Sequence, residues 1–113
     1  MIEFDCAKIT ITKSKDEIKI DFTGTDELEF MIFKREFNSE FMAEFYTYSN
    51  YDEETYWSYI KVTVNEKAIV FSVNKTIKIN LFISPTKYKQ LLTALRTMIE
   101  SIGRLTITEV EKP

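Results

Sequence analysis

Any catalysis by this chain would have to come from a short list of side chains. Its 113 residues include 18 Asp/Glu, 15 Lys/Arg, a single cysteine (Cys6) and no histidine. Without histidine it lacks the commonest general base, proton shuttle and neutral metal ligand. No Ser-His-Asp or Cys-His pair can form within it. The lone thiol excludes an intrachain disulfide and a cysteine-based zinc site, and Cys6 reads as a small apolar residue near the start of a strand.

Carboxylates cluster at Asp26, Glu27 and Glu29, and again at Asp52, Glu53 and Glu54. Such groups can exchange protons or hold Mg²⁺ or Ca²⁺. Neither spacing forms a known cation loop, and the glycine an EF-hand needs is missing, so both clusters read as solvated turns. Gly24 and Gly103 are the only glycines, too far apart for GxxxxGK[ST] and too few for GxGxxG. Ser, Thr, Tyr or Lys can act without histidine, but no motif marks a nucleophile. The expectation is a protein that is not an enzyme, with no cofactor and no metal site.

Binding chemistry is better supplied. Residues 41–57 interleave aromatic rings with acids. Tyrosine offers large contact area at low entropy cost, and carboxylates steer a basic partner. The candidate protein interface is Tyr46, Tyr48, Tyr51, Asp52, Glu53, Glu54 and Tyr56; its plainer alternative is a solvated acidic loop between core strands. A second candidate face holds Trp57, Tyr59, Lys61, Lys78 and Phe82. Rings stack on bases at roughly 1–3 kcal/mol each while lysines meet phosphates, as in single-stranded nucleic-acid binders. The plainer alternative there is that the rings pack against the first half of the chain.

The charge is unevenly spread. Net charge is −3, yet residues 1–56 carry 14 acids against 6 bases and residues 57–113 carry 4 against 9. The total disfavours a generic polyanion binder. The asymmetry allows head-to-tail self-association of oppositely charged halves into a homo-oligomer. No apolar run approaches the roughly 18 residues of a membrane span, so no membrane partner is expected. The acidic opening Met1–Asp5 lacks the layout of a secretion signal, so the expected location is cytoplasmic.

The elements that must position these residues are mostly strands in one domain, 1–113. Ala7–Lys13 and Glu17–Thr23 alternate, placing Ile9 and Ile11, then Ile18, Ile20 and Phe22, on one face. Leu28–Lys34 is apolar on both sides and suits a strand covered on both faces or a short helix. Phe41–Tyr48 reads as a strand, with a helix over 39–46 as the minority alternative. Asn50–Thr55 reads as an acidic loop. Tyr56–Val64, Ile69–Val73 and Ile77–Ile83 form a meander, joined by short turns at Asn65 and Asn74.

One helix follows. Ser84 is a good N-cap and Pro85 suits the first helical position. Tyr88, Leu91, Leu92, Leu95, Ile99 and Ile102 form its apolar stripe, and Gly103 is the expected stop. Leu105–Val110 reads as a short last strand or tail. The order of seven strands and a C-terminal helix resembles the pleckstrin-homology-like superfold in outline. The segment Lys78–Pro85, running into Tyr88, Leu91 and Leu92, is similar in outline to the last strand and helix of four-strand-plus-helix single-strand DNA binders, over about 25 residues.

The expected fold is therefore α+β and mainly antiparallel. About seven strands form a strongly bent sheet or two-sheet half-barrel, with the helix packed on it and a short strand after. The expected function is non-catalytic binding of a protein partner, of adaptor, inhibitor or immunity type. The alternative is a single-stranded nucleic-acid binder, and the weaker alternative a carboxylate- and metal-dependent enzyme.

Overall fold

Strand β1 (Ile2–Lys13) begins five residues earlier than its alternation suggests, because its buried phase changes partway along. Phe4 and Cys6 are buried at even positions, and Ile9 at an odd one. A bulge between Cys6 and Lys8 makes the switch: one extra residue in the strand moves the apolar set from one parity to the other without leaving the core. The computed structural model describes residues 2–25, 29–36, 43–48, 52–57, 60–72, 76–99 and 103–108, with backbone alone for 2, 43–48, 52–57 and 60.

β2 (Glu17–Gly24) pairs antiparallel with β1 and buries Ile18, Ile20 and Phe22, as its alternation requires. β3 (Phe30–Glu36) is a strand, not a short helix; Met31 and Phe33 are buried and Phe30 and Ile32 half-buried on the other side. β4 (Ala43–Tyr48) pairs with β3, so the helical alternative fails over those residues; 39–42 lie outside the described residues.

The acidic segment is a correction. Asp52–Trp57 is a strand, β5, paired along β4 from Tyr48↔Asp52 to Ala43↔Trp57. As an edge strand, β5 satisfies one row of backbone groups on β4, and a charged sequence is common at sheet edges. Nor is Tyr56–Val64 one strand: β5 ends at Trp57 and β6 (Ile60–Val64) begins on the far side of the sheet order. β7 (Ala68–Ser72) and β8 (Thr76–Leu81) complete the expected meander. Its first turn is held by Asn65, whose side-chain oxygen accepts from the Lys67 and Ala68 amides at 2.8 and 3.0 Å.

Helix α1 (Pro85–Ile99) starts as its residues dictate: the Ser84 hydroxyl accepts from the Lys87 amide at 3.1 Å. Its buried stripe is Leu91, Ala94, Leu95, Met98 and Ile99, with Tyr88 and Leu92 partly buried beside it; Ile102 lies outside the described residues. The described helix ends at Ile99; 100–102, which lead to the expected stop at Gly103, lie outside the described residues. Gly103 itself opens β9 (Gly103–Ile107).

The nine strands among the described residues make one sheet, in the order β5-β4-β3-β2-β1-β8-β7-β6-β9. It is mixed rather than purely antiparallel, since β1 runs parallel to β8 and β9 parallel to β6. Both exceptions have a topological cause: β1 and β8 are far apart in sequence, and β9 follows a helical crossover, the connection parallel strands require. The helix makes the fold α+β, and the sheet, though not closed, is strongly bent. Phe33 on β3 and Phe71 on β7 are four strands apart, about 19 Å in a flat sheet, yet their ring centroids are 5.4 Å apart. The concave side holds one continuous core, and α1 packs its stripe into it.

Candidate protein interface

The structure separates the two sequence-derived faces. Tyr46, Tyr48, Asp52, Glu53, Glu54 and Tyr56 share the β4–β5 hairpin at one edge of the sheet. Its register pairs Tyr46 with Glu54 and Tyr48 with Asp52, in phase with Ile32 and Phe30 of β3; Glu53 pairs with Thr47 and takes the opposite phase. Tyr51 lies outside the described residues.

The proposed stacking face does not come together as expected. Lys61 and Lys78 are on the convex side, two strands apart, and Phe82 follows β8. Trp57 belongs to β5 at the opposite end of the strand order, in the phase of Ala43, Phe45 and Phe33 rather than that of Lys61; Tyr59 lies outside the described residues. The reason is the break between β5 and β6, which ends the alternation that made these residues look like one strand face. Lys78 is also not bare. It lies 4.0 Å from Glu3, and Asn80 beside it donates to Glu3 and Asp5, each at 3.0 Å. Carboxylates on that face oppose a phosphate backbone.

A different feature emerges along β1. That strand is 12 residues long, but β8 pairs with it only from Ile2 to Cys6. The Phe82 amide makes a last bond to the Cys6 carbonyl at 2.8 Å, and the chain then turns into α1. From Ala7 to Lys13 the edge of β1 facing away from β2 carries no strand among the described residues. An open groove of about 510 Å³ runs there between Ala7–Ile11 and Phe82–Ser84 with Lys87. A second, of about 390 Å³, continues it between Ile11 and Lys13 of β1 and Gln90 and Thr93 of α1.

The chemistry of this groove is uneven in a useful way. Phe82 is 64% exposed, whereas the rings of Phe4, Phe22, Phe33 and Phe71 are buried. Ile11 and Ile83 are half-buried on the groove's walls. Lys8, Lys13 and Lys87 are its charged residues, no carboxylate lines it, and none of the three is ion-paired among the described residues. Open main-chain groups and pockets for alternate side chains are what strand addition uses.

Cys6 lies at the head of the groove but is fully buried. Burial pushes its thiol above the ordinary value of 9.0, outweighing the backbone hydrogen bonds to Lys8 and Thr23 that act the other way. It is therefore a protonated packing residue at neutral pH and not a nucleophile. Among the described residues no three His, Cys, Asp or Glu side chains are grouped to hold a metal ion, and no helix is long and apolar enough to cross a membrane. Sequence reasoning missed the groove. Its signal was the unmatched length of β1 and β8, visible only once their pairing is known.

Fold and groove together define an α+β domain: a bent mixed sheet, helix-filled, with an unpaired internal strand edge. Comparison with protein-family models, curated proteins and solved structures finds no match to this chain.

Proposed function

We propose that this protein is a non-catalytic binding module that docks an extended segment of a protein partner along the open edge of β1. The observation that carries the reading is the unpaired stretch Ala7–Lys13, bordered by the exposed Phe82. Main-chain hydrogen bonds along such an edge supply affinity, and pockets for alternate side chains supply selectivity. The acidic, tyrosine-bearing β4–β5 hairpin is a second contact surface of the same module, suited to a basic patch on a partner.

A selection of short random displayed segments against the wild-type protein, counter-selected on Phe82→Asp, tests the reading. The expected result is enriched segments that protect the amides of residues 7–13 from hydrogen exchange. Failure to enrich, or protection confined to other strands, overturns it. The nucleic-acid alternative has one observation in its favour, the in-register pair Lys61 and Arg104 on exposed positions of β6 and β9. Oligo-dT binding that falls steeply with salt and is lost in Lys61→Glu would promote it.

A further inference from the structure

The identity of the occupant follows from the groove's charge and from the order of its lining, and it rests on the strand-addition reading above. We infer that the β1 edge takes an acidic extended segment of a partner protein, with apolar and acidic residues alternating. Among the described residues three ammonium groups border the groove and no carboxylate lines it, although the chain as a whole carries more acids than bases. Lys8 and Lys13 stand near the two ends of the open stretch, with Lys87 on the helix wall, so the positive charge spans its length. The acid on the neighbouring strand, Asp21 across from Thr10 on β2, lies 3.9 Å from Lys19.

The alternation comes from β1 itself. Along this stretch Lys8, Thr10 and Thr12 are exposed, while Ile9 is buried and Ile11 half-buried toward α1. A strand laid beside β1 shares its pleat, so every second residue meets one of these two sets. Residues in the first phase meet Lys8 and the threonines, where Asp or Glu is matched. Residues in the other phase meet Ile11 and Ile83, where Val or Ile is matched, and at the far end the exposed Lys13, which shares the parity of Ile9 and Ile11. A ring or branched side chain near the Cys6 end meets Phe82. An anionic nucleic acid satisfies the lysines but leaves the open amide and carbonyl row unused, so a polypeptide is the better fit.

The test uses the full chain and three labelled synthetic peptides of equal length. One alternates Val with Glu, one alternates Val with Lys, and one is the Val-Glu peptide N-methylated at alternate residues. Fluorescence anisotropy reads binding at low and moderate salt. The expected result is binding of the Val-Glu peptide at least about tenfold tighter than the Val-Lys peptide, weakened by salt and by N-methylation. Lys8→Glu with Lys87→Glu should reverse the order of the two peptides, which a merely unfolded variant would not do. Binding of both charged peptides with equal affinity, sensitive to N-methylation, overturns the acidic occupant and leaves strand addition standing. Binding of no peptide overturns both. Competition by oligo-dT with no effect of N-methylation assigns the lysines to a nucleic acid and overturns the proposal. Self-association of the chain without peptide, abolished by Lys8→Glu, makes a second copy the occupant and overturns it equally.

Discussion

The rings of Phe33 and Phe71 meet edge to face, 5.4 Å apart and at 74°, although β3 and β7 are separated in the sheet by β2, β1 and β8. Phe22 meets the same Phe71 ring at 5.9 Å and 77°. Phe71 thus joins the two halves of the bent sheet across its concave side. Phe71→Ala should cost about 3–5 kcal/mol, the usual result of deleting a fully buried ring. Chemical denaturation checks the size. Phe71→Leu should recover more than half of the loss, because it refills most of the volume.

Arg35 closes the end of the helix. Its guanidinium donates to the Met98 carbonyl at 2.8 Å and more weakly to that of Thr97 at 3.3 Å, reaching from β3 to the last turn of α1. Carbonyls in a last turn have no partner within the helix, and a cation there also favours the macrodipole. Arg35→Ala should lower stability by about 1–3 kcal/mol. Hydrogen exchange should show early opening of the C-terminal half of α1 before β6–β8. Uniform loss across the chain would mean that Arg35 holds β3 rather than the helix.

Gly24 is constrained by a close approach of backbone. Its amide donates to the Glu29 carbonyl at 2.8 Å, and a Cβ at position 24 would lie 2.6 Å from that oxygen. The obstacle is main chain, so it cannot rotate away. Gly24→Ala should cost about 1–3 kcal/mol through displacement of the β2–β3 connection, read as a lower denaturation midpoint with unchanged slope.

Much of this was legible locally. The alternation Ile18, Ile20, Phe22 has one solution, a half-buried strand, and Ser84-Pro85 fixes where the helix begins. The helix stripe is wider than the spacing shows: Leu91, Leu95 and Ile99 are buried as expected, and Ala94 and Met98 are buried beside them. What could not be read is nonlocal. Nothing in Ile2–Cys6 announces a parallel partner more than seventy residues away. The acids of Asp52–Glu54 look like a loop because a run of charges suits a turn and a sheet edge equally well. The groove itself is a mismatch between two strand lengths, so no single segment encodes it.

Stability should fall in alkali because of Cys6. Its folded-state thiol titrates above the ordinary value, chiefly through burial. The neutral form is therefore favoured in the folded protein, and this contribution is intact below about pH 9. It declines as pH rises through the ordinary value and is lost above the raised one, where the unfolded chain has already released its proton. Tyr88, raised by partial burial and by Glu66, adds in the same direction. Denaturation midpoints between neutral and alkaline pH should drop for the wild type and drop less for Cys6→Ala. The thiol should also resist a disulfide reagent until the protein unfolds. Rapid labelling of the native protein would mean that the bulge opens and that Cys6 is not the packing residue its burial implies.

Phe82 offers the opposite contrast to Phe71. Its ring is 64% exposed, and its backbone amide, not its side chain, makes the bond to Cys6 that ends the β1–β8 ladder. Phe82→Ser should therefore change stability by no more than about 0.5 kcal/mol, as for a surface substitution, and should leave the amide exchange of β8 unaltered. The same substitution should weaken peptide docking, because it removes an exposed ring that borders the groove. These two readouts must separate if Phe82 serves recognition. A loss of stability comparable with that of Phe71→Ala would mean that the ring is covered in solution, and the docking surface would then lose its anchor.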